Sequence, residues 1–232
     1  MSERLRDPDQ RAERGTRILD AAADLLQRHG YRRVTIDDVA AGAGIGKGTV
    51  YLHWKTREQL FGAVLTREVG SAIDQVRQAL LADPQECRLH RFARAYFLAI
   101  TSRPLLLGFL LADPELLGKL TGSPDREERH AKMGRGYLEL LAGRGLLRDD
   151  LDVDRLGYAY QATFEGFLRA EAGAPADGRE QRADLLAVTV RRAFESDAAP
   201  SDAELGDLAT AVTALFGDVV DADRAEAGIP SA

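Results

Sequence analysis

Apolar residues recur along this chain at steps of three and four, and no stretch of useful length alternates apolar with polar positions, so the chain reads as all-α. A first helix is predicted from Asp7-Pro8-Asp9-Gln10, where Asp can cap and Pro suits the first turn, to Gly30; Ile18, Leu19, Ala22, Ala23 and Leu26 share its inner face. The next begins at Thr35, turns Ile36, Val39, Ala40 and Ala43 inward, and breaks at Gly44. A short third helix runs from about Lys47 to Trp54. A fourth opens at Thr56, with Gln59 answering from the third position, and carries Phe61, Leu65, Val69, Ile73, Val76 and Leu80 along one stripe until Asp83-Pro84 stops it. At 1.5 Å per residue this helix spans about 36 Å, enough to reach from one domain into another. Further helices are predicted at about 86–102, 105–120 with a break at Asp113-Pro114, 124–143, 154–172, 179–195 and 202–220. Ser123-Pro124 opens one of these, and Ser201 with Glu204 forms a capping box at the last. Residues 173–178 and 196–201 read as loops and 221–232 as a frayed, disordered tail.

Composition narrows the class. The 232 residues suit one or two domains, and 45% hydrophobic residues suffice for a packed core. Leu105–Ala112, the longest nearly unbroken apolar run, is far short of the roughly 20 residues that cross a bilayer, so no membrane partner is expected. The first fifteen residues are charged throughout and lack the apolar stretch of a secretory signal, which points to the cytoplasm. The single cysteine, Cys87, excludes an intrachain disulfide and a four-cysteine zinc site. Net charge is −6, but residues 1–57 hold 11 Lys and Arg against 8 Asp and Glu, leaving −9 for residues 58–232. Local charge governs contact with a polyanion because fields are screened within about 8–10 Å, which makes the first 57 residues the candidate nucleic-acid face.

Residues 35–54, TIDDVAAGAGIGKGTVYLHW, fit a helix-turn-helix. That motif needs a small residue where two helices cross, a turn residue tolerant of positive φ, and an apolar residue facing back from the second helix. Ala40, Gly44 and Val50 sit at those separations, and Lys47, Gly48, Thr49, Tyr51 and His53 remain for the outer side. A phosphate-cradling loop fails on spacing: a P-loop needs Gly at 41 and Ser or Thr at 48, where Ala41 and Gly48 stand, and a dinucleotide motif would need Gly where Lys47 or Thr49 stands.

Residues 16–65, with ILDAAADLLQRHGY, the helix-turn-helix above and KTREQLF, resemble the TetR family of bacterial transcriptional regulators. The T-V-Y-x-H-W core followed by K-T-R-E-x-L carries most of that likeness. Gly46 stands where such proteins usually have a capping serine, and Leu52 replaces a commonly polar or aromatic residue. The resemblance implies that Thr35, Tyr51, Lys55 and Thr56 contact DNA phosphates and that Lys47, Gly48, Thr49 and His53 lie near bases. Arg32 and Arg33 either add phosphate contacts or solvate the turn.

Beyond residue 57 no catalytic constellation stands out: the four histidines, His29, His53, His90 and His130, are scattered, no HExxH or GxSxG occurs, and Cys87-x-x-His90 is half a metal site. No cofactor is expected. The resemblance implies an inducer pocket in the second region, for which Tyr96, Phe97, Phe109, Leu110, Tyr137 and Phe164 are the candidates. Leu205, Leu208, Val212, Leu215 and Val219 follow a 3-4-3-4 seam, and with Leu156, Tyr160 and Phe167 they predict a four-helix dimer interface; the same spacing also serves a chain's own core. The expected protein has an N-terminal three-helix DNA-binding domain (1–57) and a larger helical ligand-binding and dimerisation domain (58–220), linked by the helix at 57–82. It acts as a homodimeric repressor on an inverted-repeat double-stranded DNA operator and is released by an apolar or amphipathic inducer. A helical carrier or enzyme using the second-domain cavity without DNA is the rival.

Overall fold

The computed structural model describes residues 8–112, 120, 123–175 and 177–230. Among them are α1 (Pro8–His29), α2 (Ile36–Gly42), α3 (Lys47–His53), α4 (Arg57–Ala82), a 3-10 turn (Pro84–Cys87), α5 (Leu89–Thr101), α6 (Pro104–Leu110), α7 (Pro124–Ala142), α8 (Val153–Glu171), α9 (Arg179–Phe194) and α10 (Asp202–Glu226). Among the described residues the only β pairing is an isolated bridge between Leu147 and Glu195. The protein is all-α.

Helix ends follow side-chain chemistry. The Ser201–Glu204 box forms: Ser201 N donates to Glu204 Oε2 at 2.8 Å, and Glu204 N donates to Ser201 Oγ at 3.4 Å. The helix expected at 86–102 instead opens with the 3-10 turn, because Asp83 accepts from Gln85 N and Pro84 fixes the first turn, and extended Arg88 separates this turn from α5. The helix expected at 105–120 ends at Leu110 in its described part; the break at Asp113-Pro114, like the cap at Asp7, lies outside the described residues. A larger difference concerns the predicted tail. Residues 221–226 continue α10, with Val219, Val220 and Asp223 buried, and the helix stops where left-handed Gly228 lets Ile229 N donate back to Arg224 O. Residues 231–232 lie outside the described set.

The chain divides into two compact units, one from residues 1–70, 104–122 and 221–232, the other from 71–103 and 123–220. The expected boundary at 57/58 followed charge along the chain, whereas packing assigns the first half of α4, α6 and the end of α10 to the first unit. In that unit Ile18, Leu19, Val39, Val50, Trp54 and Phe61 are buried, and α6 packs on α1. In the second unit α5 lies along α9, α7 along α8, and α8 also meets α5 and α9. Arg94 clips α5 to α9 through Glu180 and Asp184.

The proposed dimer seam is largely spent inside the single chain. Leu156, Leu205, Leu208, Val212 and Val219 are buried, and Tyr160, Phe167 and Leu215 are half-buried. Heptad-like spacing satisfied the chain's own core here. The large apolar side chains left outside on the second unit include Tyr158, 80% exposed, on α8, Leu185 and Val188 on α9, Leu81 on α4 and Leu151 just before α8.

Candidate nucleic-acid interface and ligand cavity

α2 and α3 are set by their ends. Thr35 caps α2 in a complete capping box: its Oγ1 accepts from Asp38 N at 3.2 Å, while Asp38 Oδ2 accepts from Thr35 N at 2.9 Å and from Thr35 Oγ1 at 2.7 Å. These bonds to the ionised carboxylate hold Asp38 below the usual carboxylate range. At the other end Gly44 adopts φ +67°, Gly44 N donates to Ala41 O and Ile45 N to Ala40 O, so the chain reverses in the left-handed conformation that glycine accepts without strain. α3 has no side-chain cap: Gly46 offers only its carbonyl, to Thr49 N at 2.8 Å. Val50 is fully buried and fastens α3 to the rest of the unit.

That fastening leaves a polar surface. Thr35, Lys47, Gly48, Tyr51, Lys55 and Thr56 are exposed and Thr49 is half-buried. Lys47 Nζ is 2.7 Å from Asp37 Oδ2 on α2, which raises the pKa of the ammonium, so in the free protein this cation is already paired. Lys55 Nζ donates to Tyr51 O at 3.1 Å, which holds the lysine beside the tyrosine. Thr56 Oγ1 accepts from Gln59 N at 3.1 Å, while the Gln59 side chain accepts from Lys55 N, one residue earlier than the capping pattern predicts. The base role expected of His53 is not supported by its surroundings. Its ring stacks on Trp54, a side chain at Gly15 would stand 3.5 Å from its Nδ1, and burial followed by Arg11 and Arg14 lowers its pKa. His53 is turned against α1 by the same packing that buries Trp54.

Two positions carry weight that spacing alone did not single out. Arg57 donates to Val34 O at 2.9 Å and to Tyr31 O, with its guanidinium 4.2 Å from the centre of the Tyr31 ring and 4.9 Å from that of Phe61. It fixes the start of α4 to the turn between α1 and α2. Trp54, 3% exposed, donates its indole N–H to Ala227 O at 2.9 Å, so the segment after α10 closes over the end of α3. The TR pair of the KTREQLF run marks Arg57 in the sequence; nothing near Trp54 signals a partner 173 positions away.

The second unit holds a cavity of about 360 Å³ whose walls include Phe92, Tyr96, Tyr137, Tyr160, Phe164 and Phe216. Of the residues expected at an inducer pocket, Tyr96, Tyr137 and Phe164 line this cavity. Phe97 is fully buried and does not line the cavity, whereas Phe109 and Leu110 belong to α6 in the first unit. Helical spacing selects apolar residues without telling a cavity wall from a solid core. Tyr160, expected at a dimer interface, lines the cavity instead. Cys87 is buried, which raises its thiol pKa to about 11, and its carbonyl accepts from Tyr137 Oη at 2.9 Å. His90 Nδ1 lies 2.8 Å from Glu195 Oε2, so the half metal site suggested by Cys87-x-x-His90 is used in packing.

Residues 18–64, which span α1 through the first turns of α4, match the family model of bacterial regulatory proteins, tetR family. Over that segment the chain is similar to the TetR family. The HTH-type transcriptional repressor AcnR of Corynebacterium efficiens is 26% identical over 176 residues, covering 75% of this chain and 91% of that one. The HTH-type transcriptional repressor KstR2 of Mycolicibacterium smegmatis is 29% identical over 152 residues, covering 63% and 74%. Among solved structures, the SmeT–triclosan complex superposes with a TM-score of 0.63 at 19% identity, over 80% of this chain and 93% of that one, which shows the shared fold. The ketosteroid regulator KstR2 of Mycobacterium tuberculosis gives 0.56 at 25% identity, over 80% and 96%. With these relatives named as transcriptional regulators, the chain is a DNA-binding transcriptional regulator rather than an enzyme. None of its described helices is long and apolar enough to cross a membrane.

Proposed function

We propose that the protein is a ligand-responsive repressor that binds an inverted-repeat operator as a homodimer in the cytoplasm and releases it when a small molecule fills the aromatic cavity. The observation that carries this reading is the coexistence, in one chain, of the exposed polar face of α2–α3 and a cavity of about 360 Å³ in the other unit. α4 is a single helix continuous across residues 70 and 71, where the units divide, which supports it as the connecting element. In this reading Thr35, Tyr51, Lys55 and Thr56 hold phosphates and Lys47, Gly48 and Thr49 meet bases, with α3 in the major groove. His53 serves packing. Dimerisation uses the outward side chains Tyr158, Leu185 and Val188 of α8 and α9, since the α10 seam is buried. Half-sites one helical turn apart, about 34–36 Å, follow from a two-fold dimer on B-DNA.

The test is linkage. A ligand that weakens operator affinity must itself be weakened by operator, by the same factor, and a coupling of about 1–3 kcal/mol gives roughly 5- to 150-fold. Selecting bound fragments from genomic DNA supplies the operator, and titrating the ligand with and without it gives the coupling. Equal affinities in the two titrations would refute the switch. A Tyr158→Glu, Leu185→Glu variant is expected to sediment as a monomer and lose most specific DNA affinity; an intact dimer would place the interface elsewhere.

A further inference from the structure

Six aromatic rings line the cavity beside aliphatic residues such as Ile73, Val76 and Leu138, and two of the rings carry hydroxyl groups that meet no partner among the described residues. Tyr96 stacks on Phe164 with ring centres 5.6 Å apart, and Tyr160 lies against the same ring at 6.1 Å, so the two tyrosines flank Phe164. Tyr137, also on the wall, spends its hydroxyl on Cys87 O. Neither Tyr96 nor Tyr160 makes a hydrogen bond with any described residue. Burial raises the pKa of Tyr96 to about 12 and, with Tyr96 adding to it, that of Tyr160 further, so both hydroxyls keep their protons across the physiological range. Both residues are half-buried rather than sealed, so a ligand that displaces water from these phenols must itself supply a hydrogen-bond partner.

Fixed charge on the wall is confined to the rim, where Arg135, Asp154 and Gln161 are solvent-exposed; half-buried His130, which has an interaction of its own, also lines the cavity. Arg135 bonds to Glu139 at 2.8 Å and also to Asp154, and Gln161 donates to Glu165 at 3.0 Å. An anionic ligand would therefore meet a guanidinium already held by two carboxylates, and a cationic ligand would meet the Asp154 carboxylate already held by that guanidinium. A buried charge without its own counter-ion costs several kcal/mol, which the faces of aromatic rings offset only in part and only for a cation.

Resting on the proposal that this cavity is the effector site, we infer that its ligand is an uncharged, flat, fused-ring molecule carrying an oxygen that hydrogen-bonds to Tyr96 and Tyr160. The rings take the hydrocarbon by stacking and edge contact, and the two phenols orient the single polar atom. At the small end of ligand-pocket volumes, the cavity suits two or three fused rings.

Four probes of one shape test this by calorimetry on the full chain: naphthalene, 2-naphthol, 2-naphthoate and (2-naphthyl)trimethylammonium. The expected order places 2-naphthol tightest, about 2- to 10-fold above naphthalene for each hydrogen bond made, with both ions weaker than 2-naphthol. Tyr96→Phe and Tyr160→Phe should each remove one such factor for 2-naphthol and leave naphthalene unchanged, so the naphthalene titration also verifies that each variant folds. Tighter binding of either ion, indifference of 2-naphthol to both substitutions, or no binding by any of the four overturns the inference. A preference for 2-naphthol that leaves operator affinity unchanged supports the ligand class and refutes the switch, which keeps the two readings separable.

Discussion

Stopping the chain after Val220 removes the segment that closes over Trp54, and the molecule carries its own reporter, since Trp54 is the only tryptophan. Two losses add. The indole N–H loses its bond to Ala227 O, worth about 0.5–1.5 kcal/mol net. The ring is only 3% exposed in the intact chain; if truncation uncovers a third to a half of the roughly 150–250 Å² a large aromatic buries, hydrophobic burial falls by about 1–3 kcal/mol. The first unit should therefore lose about 2–4 kcal/mol, enough to move a urea midpoint by on the order of 1 M. Tryptophan emission reads both effects: its maximum should shift to the red in the folded truncated protein, acrylamide should quench it more strongly, and the unfolding transition should come earlier. A Trp54→Phe variant of the full chain, followed by circular dichroism, isolates the bond with the segment in place and should show the smaller share of the loss. An unchanged emission maximum and midpoint in the truncated chain would refute the argument.

Replacing Thr35 by Ala dismantles the capping box of α2 and should cost about 0.5–2 kcal/mol in thermal stability, besides weakening DNA binding by a phosphate contact. Because Asp38 is held below its ordinary pKa in the folded state, its contribution is present above pH about 3.8 and disappears as pH falls through the lower folded value; Thr35→Ala should flatten that acid limb in circular-dichroism melts, and an unaltered limb would remove the box from the account. Gly62→Ala would drive a methyl group into Leu120 O, a backbone atom with little freedom to yield, and should destabilise by about 1–3 kcal/mol; a wild-type melting curve would show that the approach relaxes at no cost. Lys55→Ala should reduce the slope of log affinity against log salt by about 1 at every DNA sequence alike, and a changed base preference with an unchanged slope would take Lys55 off the phosphate backbone.

Local chemistry was readable along the chain and distant pairing was not. Thr35, Gly44 and Val50 announce α2, its turn and the buried anchor of α3, because a cap, a positive φ and an inward β-branched residue each need a particular residue type within a few positions. The polar face from Lys47 to Thr56 follows from what those anchors leave over. Burial of the Leu205–Val219 stripe within its own chain could not be told from a dimer seam, since both bury the same spacing. Phe97 and Tyr96 are neighbours in sequence, yet one fills the core and the other a cavity wall, a distinction made by helices that arrive from elsewhere. His53 looked available because its neighbours face outward; its partners on α1 are some forty positions away.

The bond between Trp54 and Ala227 joins residues 173 positions apart, and that separation bears on how the protein is made. The helix-turn-helix leaves the ribosome well before the residues that cover the back of it are made. During elongation its indole waits exposed while the whole second unit is synthesised and packs, at about 5–20 residues per second. Only then can loop closure over so many residues be completed, a step whose entropy is recovered late. A nascent chain with α1–α3 in hand thus carries a helix-turn-helix unit that is still unfinished, and that unit is completed with the arrival of the segment around Ala227 rather than with the appearance of the motif.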